Sequence, residues 1–260
     1  MSDAPVEVTF AGGIGRITFN RPEAMNAVDV ATAVAFRDGV RALVAEPGLR
    51  VVVLTGVGRA FMAGGDLASF RRAEDRSGFA HELISPIHEG LALLAECRAV
   101  SIAAVNGVAA GAGMSVALAA DLCLAGQSAS FSTAYVRVAG PGDCGITWAL
   151  PQLVGPRKAL ELMLLSPTIG ADEALRLGLV NRVVADEALA AETDQLAARL
   201  AAGPAGAMAR IRDLIRRPRA DYAAHLDAER EAFAASAAEP DFDEALEAFF
   251  NKRKPNFTAG

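Results

Sequence analysis

Apolar and polar residues alternate at 6–10 and again at 16–20. With Ala11-Gly12-Gly13-Ile14-Gly15 between them they predict a β-hairpin, which Arg21-Pro22 ends. Helical spacing then takes over. Val30, Val34, Val40 and Val44 recur on one face across 28–45, and Glu46-Pro47-Gly48 closes the helix. Positions 51–55 (VVVLT) form a continuous apolar run, the pattern of a strand covered on both faces. A polar, glycine-rich loop at 56–66 follows, then a charged, irregular stretch around 71–77. A helix over 82–97 leads into a second apolar strand at 100–105. NGVAAGAGMSVAL (106–118) reads as a glycine-rich turn opening a helix, and a further short strand covers 121–125.

The repeated order strand, loop, helix calls for crossover connections and a largely parallel sheet, so the fold class is α/β. From position 150 onward the pattern is almost wholly helical, broken at Pro156, Pro167, Gly178, Pro204, Pro218 and Pro240. The alanine-rich helices expected at 188–202 and 221–238 suit a packing or oligomer layer. The division that follows is a core at 1–200 carrying the site and a helical region at 201–260.

Composition narrows the function. The chain of 260 residues is 52% hydrophobic but only 6% aromatic, so its core is built largely from Ala, Val and Leu. A net charge of −6, without a Lys/Arg cluster, argues against a nucleic-acid surface. Cys97, Cys123 and Cys144 fit neither a disulfide framework nor a zinc site, and His81, His88 and His225 have no metal spacing. A reducing, cytoplasmic setting is expected, since MSDAPVEVTF lacks the basic start and apolar core of a secretion signal. The uncharged segment 99–120 is long enough to cross a bilayer, but Asn106 and its glycines interrupt it. It reads as a buried strand followed by a buried helix.

Two glycine-rich loops follow neighbouring apolar strands: Gly58 to Asp66, and Ala109 to Gly113. Backbone N–H groups on adjacent parallel strands can converge on one oxygen atom, the minimal oxyanion hole. Such a site suits the enolate oxygen of a thioester. Asp143, in AGPGDCGITW, sits at or just before a helix start. It is either a cap or, in an apolar pocket, a base that moves a proton between carbons. Cys144 reads as a small buried thiol.

The residues that follow resemble the crotonase (enoyl-CoA hydratase/isomerase) superfamily over nearly the whole chain. They are Phe19-Asn20-Arg21-Pro22 with Asn26, Gly58-Arg59-Ala60-Phe61 through Gly64-Gly65-Asp66-Leu67, and Asn106-Gly107-Val108-Ala109-Ala110-Gly111. The likeness continues in Ala119-Ala120-Asp121, Leu150-Pro151, Leu153-Val154-Gly155, Ala174, Gly178-Leu179-Val180 and Lys252-Arg253-Lys254-Pro255-Asn256-Phe257. The resemblance implies a spiral of ββα units, a helical C-terminal region packing homotrimers or hexamers, and an acyl-CoA substrate, with no metal or separate cofactor. By motif position the oxyanion donors are the N–H groups of Ala63 and Ala112. Substrate contacts are expected at Ala60, Gly64, Asp66, Gly111, Ser115, Tyr135 and Trp148, the last in the acyl-pocket wall. Phe249 and Lys252 match tail positions that reach coenzyme A. Asp66 also fits a turn that supports the fold.

The hydratases resembled carry two pocket glutamates where this chain has Ser115 and Tyr135. Asp143 matches the acid of dienoyl-CoA isomerases and of the ring-epoxide isomerases of phenylacetyl-CoA breakdown, and Asp143 to Pro151 is most similar to the latter branch. That branch has Pro and Gly where Gly142 and Ile146 stand here. The expectation is isomerisation through an enolate with Asp143 as the acid/base. Hydration by the same Asp with a water, or a non-catalytic acyl-CoA-binding subunit, are the alternatives.

Overall fold

The computed structural model describes residues 4–216 and 240–257, with isolated positions 230, 233 and 235; the side chain of Phe249 lies outside it. β1 (Val6–Ala11) and β2 (Ile14–Phe19) form the expected hairpin, in register from Val6↔Phe19 to Ala11↔Ile14. Helix α1 (Val30–Val44) crosses from β2 to the parallel strand β3 (Val51–Gly56). Asp29 caps α1 by accepting the Thr32 N–H at 2.8 Å, one of the donors that a first turn leaves unpaired.

Strands β5 (Val100–Val105), β7 (Leu122–Gly126) and β10 (Arg182–Val184) complete a six-stranded sheet of order β1-β2-β3-β5-β7-β10. A second sheet has the order β4 (Ala60–Met62), β6 (Val108–Ala110), β8 (Ser130–Ser132) and β9 (Ile169–Gly170). After the hairpin, whose two strands share the first sheet, each of the next three coils gives one strand to each sheet and then turns into helix. β3 and β4 lead to α2 (Leu67–Arg72) and α3 (Arg76–Glu96). β5 and β6 lead to α4 (Ala112–Ala119), and β7 and β8 to α5 (Ile146–Val154). This is a ββα spiral. α6 (Pro156–Leu165), α7 (Ala171–Arg176), α8 (Leu189–Ala201), α9 (Ala205–Arg216) and a last helix, Pro240–Phe250, follow.

The apolar run of β3 is explained by its two covered faces. Val52 and Leu54 join the larger core, where Phe19 stacks on Phe36 at 5.7 Å and meets Phe61 edge-on at 5.9 Å. Val51 and Val53 face the other way, against Ile102, Leu124 and the α8 residues Leu189 and Ala197. α4 lies so close to β4 that a Cβ on Gly113 would sit 1.9 Å from the Met62 carbonyl oxygen. Glycine is required there.

A buried ionic knot ties α9 to this core. Arg212 donates to the carbonyls of Leu94 and Ala95 at 2.7 Å, of Ala99 at 3.0 Å, and of Cys97. It also pairs with Asp121 at 3.0 Å, and Arg216 approaches the same carboxylate oxygen at 2.7 Å. The second oxygen of Asp121 accepts both the N–H and the hydroxyl of Ser101 at 2.8 Å.

Several expectations are corrected. The stretch around 71–77 is mostly helical, because Asp66 and Asp75 each cap a helix there. A strand, β6, precedes the helix within 106–118, and β4 lies inside the 56–66 loop. The region after 150 also holds β9 and β10, too short to show a period of two. The helix expected at 221–238 lies almost wholly outside the described residues. Among the described residues no helix is long and apolar enough to cross a membrane.

Candidate active site

Two strand-to-helix junctions from neighbouring coils meet at glycines. The first is shaped by Asn26, fully buried and in the left-handed region at φ 57°. Its side chain donates to the Ala60 carbonyl at 2.7 Å and accepts the Arg21 N–H at 2.8 Å. Asn106 donates to the Gly58 carbonyl at 2.9 Å and accepts the Gly56 N–H at 3.1 Å, so two asparagines brace the loop from both sides. Further along, Val28 donates to the Gly64 carbonyl and accepts from Asp66, both at 2.8 Å. In such a parallel bridge the intervening Gly65 N–H points away from Val28, and it meets no acceptor among the described residues.

Ala63 is corrected as a donor. Its N–H is already given to the Met25 carbonyl at 3.1 Å. The unclaimed amide lies two residues on, at Gly65.

The second junction is Gly111-Ala112. Gly111 has φ 54° and ψ −124°, and its own N–H goes to the Ser132 carbonyl at 3.0 Å. Ala112 is the first residue of α4, where an N–H has no intrahelical partner and the positive end of the helix dipole emerges. A Cβ on Gly111 would lie 3.6 Å from Gly64 Cα, so the junctions touch. The amides of Gly65 and Ala112, each one residue past those glycines, are the open pair.

One turn into α4, Ser115 starts a hydrogen-bonded chain. Its Oγ is 3.1 Å from the Gly111 carbonyl oxygen and 2.7 Å from the Tyr135 hydroxyl, and that hydroxyl bonds to Asp143 Oδ1. Tyr135 opens a 3-10 turn, Tyr135–Val138, entered through Ala134 in a left-handed conformation. Ser166, at the end of α6, holds the turn. Its hydroxyl accepts the Ala134 N–H at 2.8 Å and its carbonyl accepts from Arg137 at 2.6 Å. Burial first, and the Asp143 charge second, push the Tyr135 phenol far above its ordinary range, so it is a neutral donor.

Asp143 does not cap α5. That helix starts at Ile146 behind Gly145, with no side-chain cap. The carboxylate turns to Tyr135 instead, and its Oδ2 accepts no N–H or O–H among the described residues. Cys144, with φ 51°, donates its backbone N–H to His88 Nε2 at 3.1 Å. Its buried thiol is pushed well above the usual thiol range by burial and then by the Asp143 charge.

The remaining expected positions separate from this cluster. Ala60 is fully buried in β4, its carbonyl engaged by both asparagines. Asp66 caps α2 through Ala68 and Ser69 and pairs with Arg21 at 3.6 Å, as a fold-supporting turn should. Trp148 is 71% exposed and lines a groove with His88, Leu91, Cys144 and Ile215 whose walls include neither Gly65, Ala112 nor Asp143. Lys252 is exposed past the end of the last helix, and the Phe249 side chain lies outside the described residues. Sequence reasoning missed the Gly65 amide and the His88 contact. The first was legible in principle, because a residue flanked by two bridge partners must aim its own amide elsewhere.

Comparison with known proteins agrees with this architecture. A family model described as enoyl-CoA hydratase/isomerase matches residues 9–260. A Rhodobacter capsulatus protein named "Probable enoyl-CoA hydratase" is 36% identical over 259 residues, 99% of each chain. A 1,2-epoxyphenylacetyl-CoA isomerase of Escherichia coli is 35% identical over 254 residues, 95% of each. The crystal structure of an enoyl-CoA hydratase from Bacillus anthracis superposes with a TM-score of 0.90 at 30% identity, covering 96% of this chain and 98% of that one. The chain belongs to the enoyl-CoA hydratase/isomerase family, and its fold is the crotonase spiral.

Proposed function

We propose that this protein isomerises an acyl-CoA thioester through an enolate, with Asp143 as the acid/base. The observation that carries the reading is a single carboxylate with one oxygen free of N–H and O–H donors, linked to the Gly111–Ala112 junction through Ser115 and Tyr135. In the proposed reaction the thioester oxygen accepts from the Gly65 and Ala112 N–H groups. Asp143 Oδ2 takes a proton from carbon activated by the thioester, the electron pair moves onto the held oxygen, and the same proton returns to a more distant carbon. The double bond shifts and no atom is gained or lost.

A water addition needs a second group to activate the water while the first protonates carbon. Ser115 and Tyr135 are neutral hydroxyls tied to each other, which supports isomerase over hydratase. The 1,2-epoxyphenylacetyl-CoA isomerase relative supports the same choice and extends the substrate class to ring epoxides. Coenzyme A enters as part of the substrate, with Lys252 and Phe249 as proposed contacts on its nucleotide end. Among the described residues no group of three or more His, Cys, Asp or Glu is placed to hold a metal ion. The assembly we propose is a trimer or a pair of trimers, for which the exposed Leu160, Leu164 and Leu165 of α6 supply apolar surface.

Asp143→Asn is expected to lower the rate on 3-hexenoyl-CoA by roughly 10²–10⁴-fold. A variant that keeps its rate overturns the assignment, and wild-type hydration of crotonyl-CoA faster than isomerisation overturns the choice of reaction. The donor pair has its own test. Replacing residue 65 by glycolic acid removes one N–H and is expected to cost roughly 10²-fold or more in kcat. Lactic acid at position 63 removes only the bond to Met25 and should leave kcat nearly unchanged.

A further inference from the structure

The Ser115–Tyr135–Asp143 chain contains two hydroxyl hydrogens, and counting them fixes its direction. An ionised carboxylate only accepts, so the hydrogen between Tyr135 and Asp143 belongs to Tyr135. Tyr135 then has none left for Ser115. The 2.7 Å contact between the hydroxyls must be filled by the Ser115 hydrogen, with the Gly111 carbonyl, 3.1 Å away, as that hydrogen's other acceptor in reach. Every bond therefore points toward Asp143, and the order of donors runs from α4 to the carboxylate.

We infer that Tyr135, oriented by Ser115, is a positioning residue that pins Asp143 Oδ1 and leaves Oδ2 as the one oxygen able to exchange a proton with substrate. The inference rests on the proposed role of Asp143 and adds to it the means by which the base is aimed. A hydrogen bond from a neutral phenol inside a buried site is stronger than its counterpart in water and fixes the orientation of the acceptor. The other groups around the carboxylate do not supply this. The Cys144 thiol is a weak donor, and its backbone N–H goes to His88 Nε2. Arg137 gives its guanidinium to the Ser166 carbonyl. Among the described residues no cation pairs with Asp143.

A hydroxyl pair, Ser115 on α4 and Tyr135 on the 3-10 turn, thus serves an acid arriving from a different loop. Ser115 also belongs to the helical turn that presents the Ala112 amide, since its N–H and its Oγ both approach the Gly111 carbonyl at 3.1 Å. One short helix thereby orients both the amide and, through Tyr135, the base.

The test compares wild type, Tyr135→Phe, Ser115→Ala and Asp143→Asn on 3-hexenoyl-CoA across pH. Tyr135→Phe is expected to move the acid limb of kcat/KM upward by about one pH unit and to lower kcat about tenfold with KM little changed. Ser115→Ala should shift the limb the same way by less. A near-ultraviolet difference titration needs no turnover. The chain has two tyrosines, so the Tyr135 signal is the part lost in Tyr135→Phe. It should respond to acidification in wild type and lose that response in Asp143→Asn. An acid limb unmoved in Tyr135→Phe, or a Tyr135 signal indifferent to Asp143→Asn, overturns the inference while leaving Asp143 as base. Full activity in Asp143→Asn instead overturns the reading beneath it.

Discussion

Two aspartates sit in the same fold and have opposite fates. Asp121 spends both carboxylate oxygens: one pairs with Arg212 and Arg216, the other accepts the N–H and hydroxyl of Ser101. Asp143 spends one oxygen on Tyr135, and beyond that its carboxylate meets only the weakly donating Cys144 thiol, with no N–H or O–H on Oδ2 among the described residues. A saturated carboxylate serves to hold α9 against the end of α3. A half-saturated one is aimed but still able to accept a proton. Burial alone does not separate the two, since both are only partly covered; the count of partners does.

Breaking the closed knot should have the largest effect. Arg212→Ala takes one of two cations from Asp121 and a donor from four carbonyls, and is expected to cost about 3–5 kcal/mol, read by urea unfolding. Asp121→Asn is milder, about 1–3 kcal/mol, because the amide still accepts from Ser101. Asp143→Asn should change stability by less than about 0.5 kcal/mol despite its effect on rate. A variant of the knot that loses activity while keeping its unfolding midpoint would erase the distinction.

Two thiols sharpen the comparison at alkaline pH. Burial pushes Cys123 from 9.0 up to about 12, and Cys144 rises further because burial is joined by the Asp143 charge. Above pH 9 the unfolded thiols ionise while the folded ones stay neutral. The unfolded state then binds fewer protons, and stability falls as pH rises toward the folded values. The loss is about 1 kcal/mol per thiol at about pH 10, seen as a falling Tm. Cys123→Ala should remove its own share whole.

Much of this was legible from side-chain patterning. The hairpin, α1, β3, β5 and β7 are long enough to show a period or an unbroken apolar run. β4, β6, β8, β9 and β10 are two or three residues each, and a period of two cannot be read from so few. They exist because neighbouring strands already stand there to pair with them. Asp143 was legible as the lone acid of its region, but its hydrogen-bond partner was not, because Tyr135 reaches it only through the left-handed step at Ala134 and the anchor at Ser166. Ala63 was misassigned for a related reason. Which backbone amides stay unclaimed depends on the bridge between Val28 and Gly65, and that pairing leaves no trace in side-chain pattern.

The pairing of β4 with β6 has one further consequence. The separation between the two glycine junctions follows the spacing of neighbouring strands, roughly 4.8 Å. A site of this kind is inherited with the chain's path and with the few glycines and asparagines that let the junctions meet. Lineages sharing the coil can thus swap acids, hydroxyls and pocket walls around an unchanging anion cradle, and diversify their reactions without rebuilding the part that makes any of them feasible.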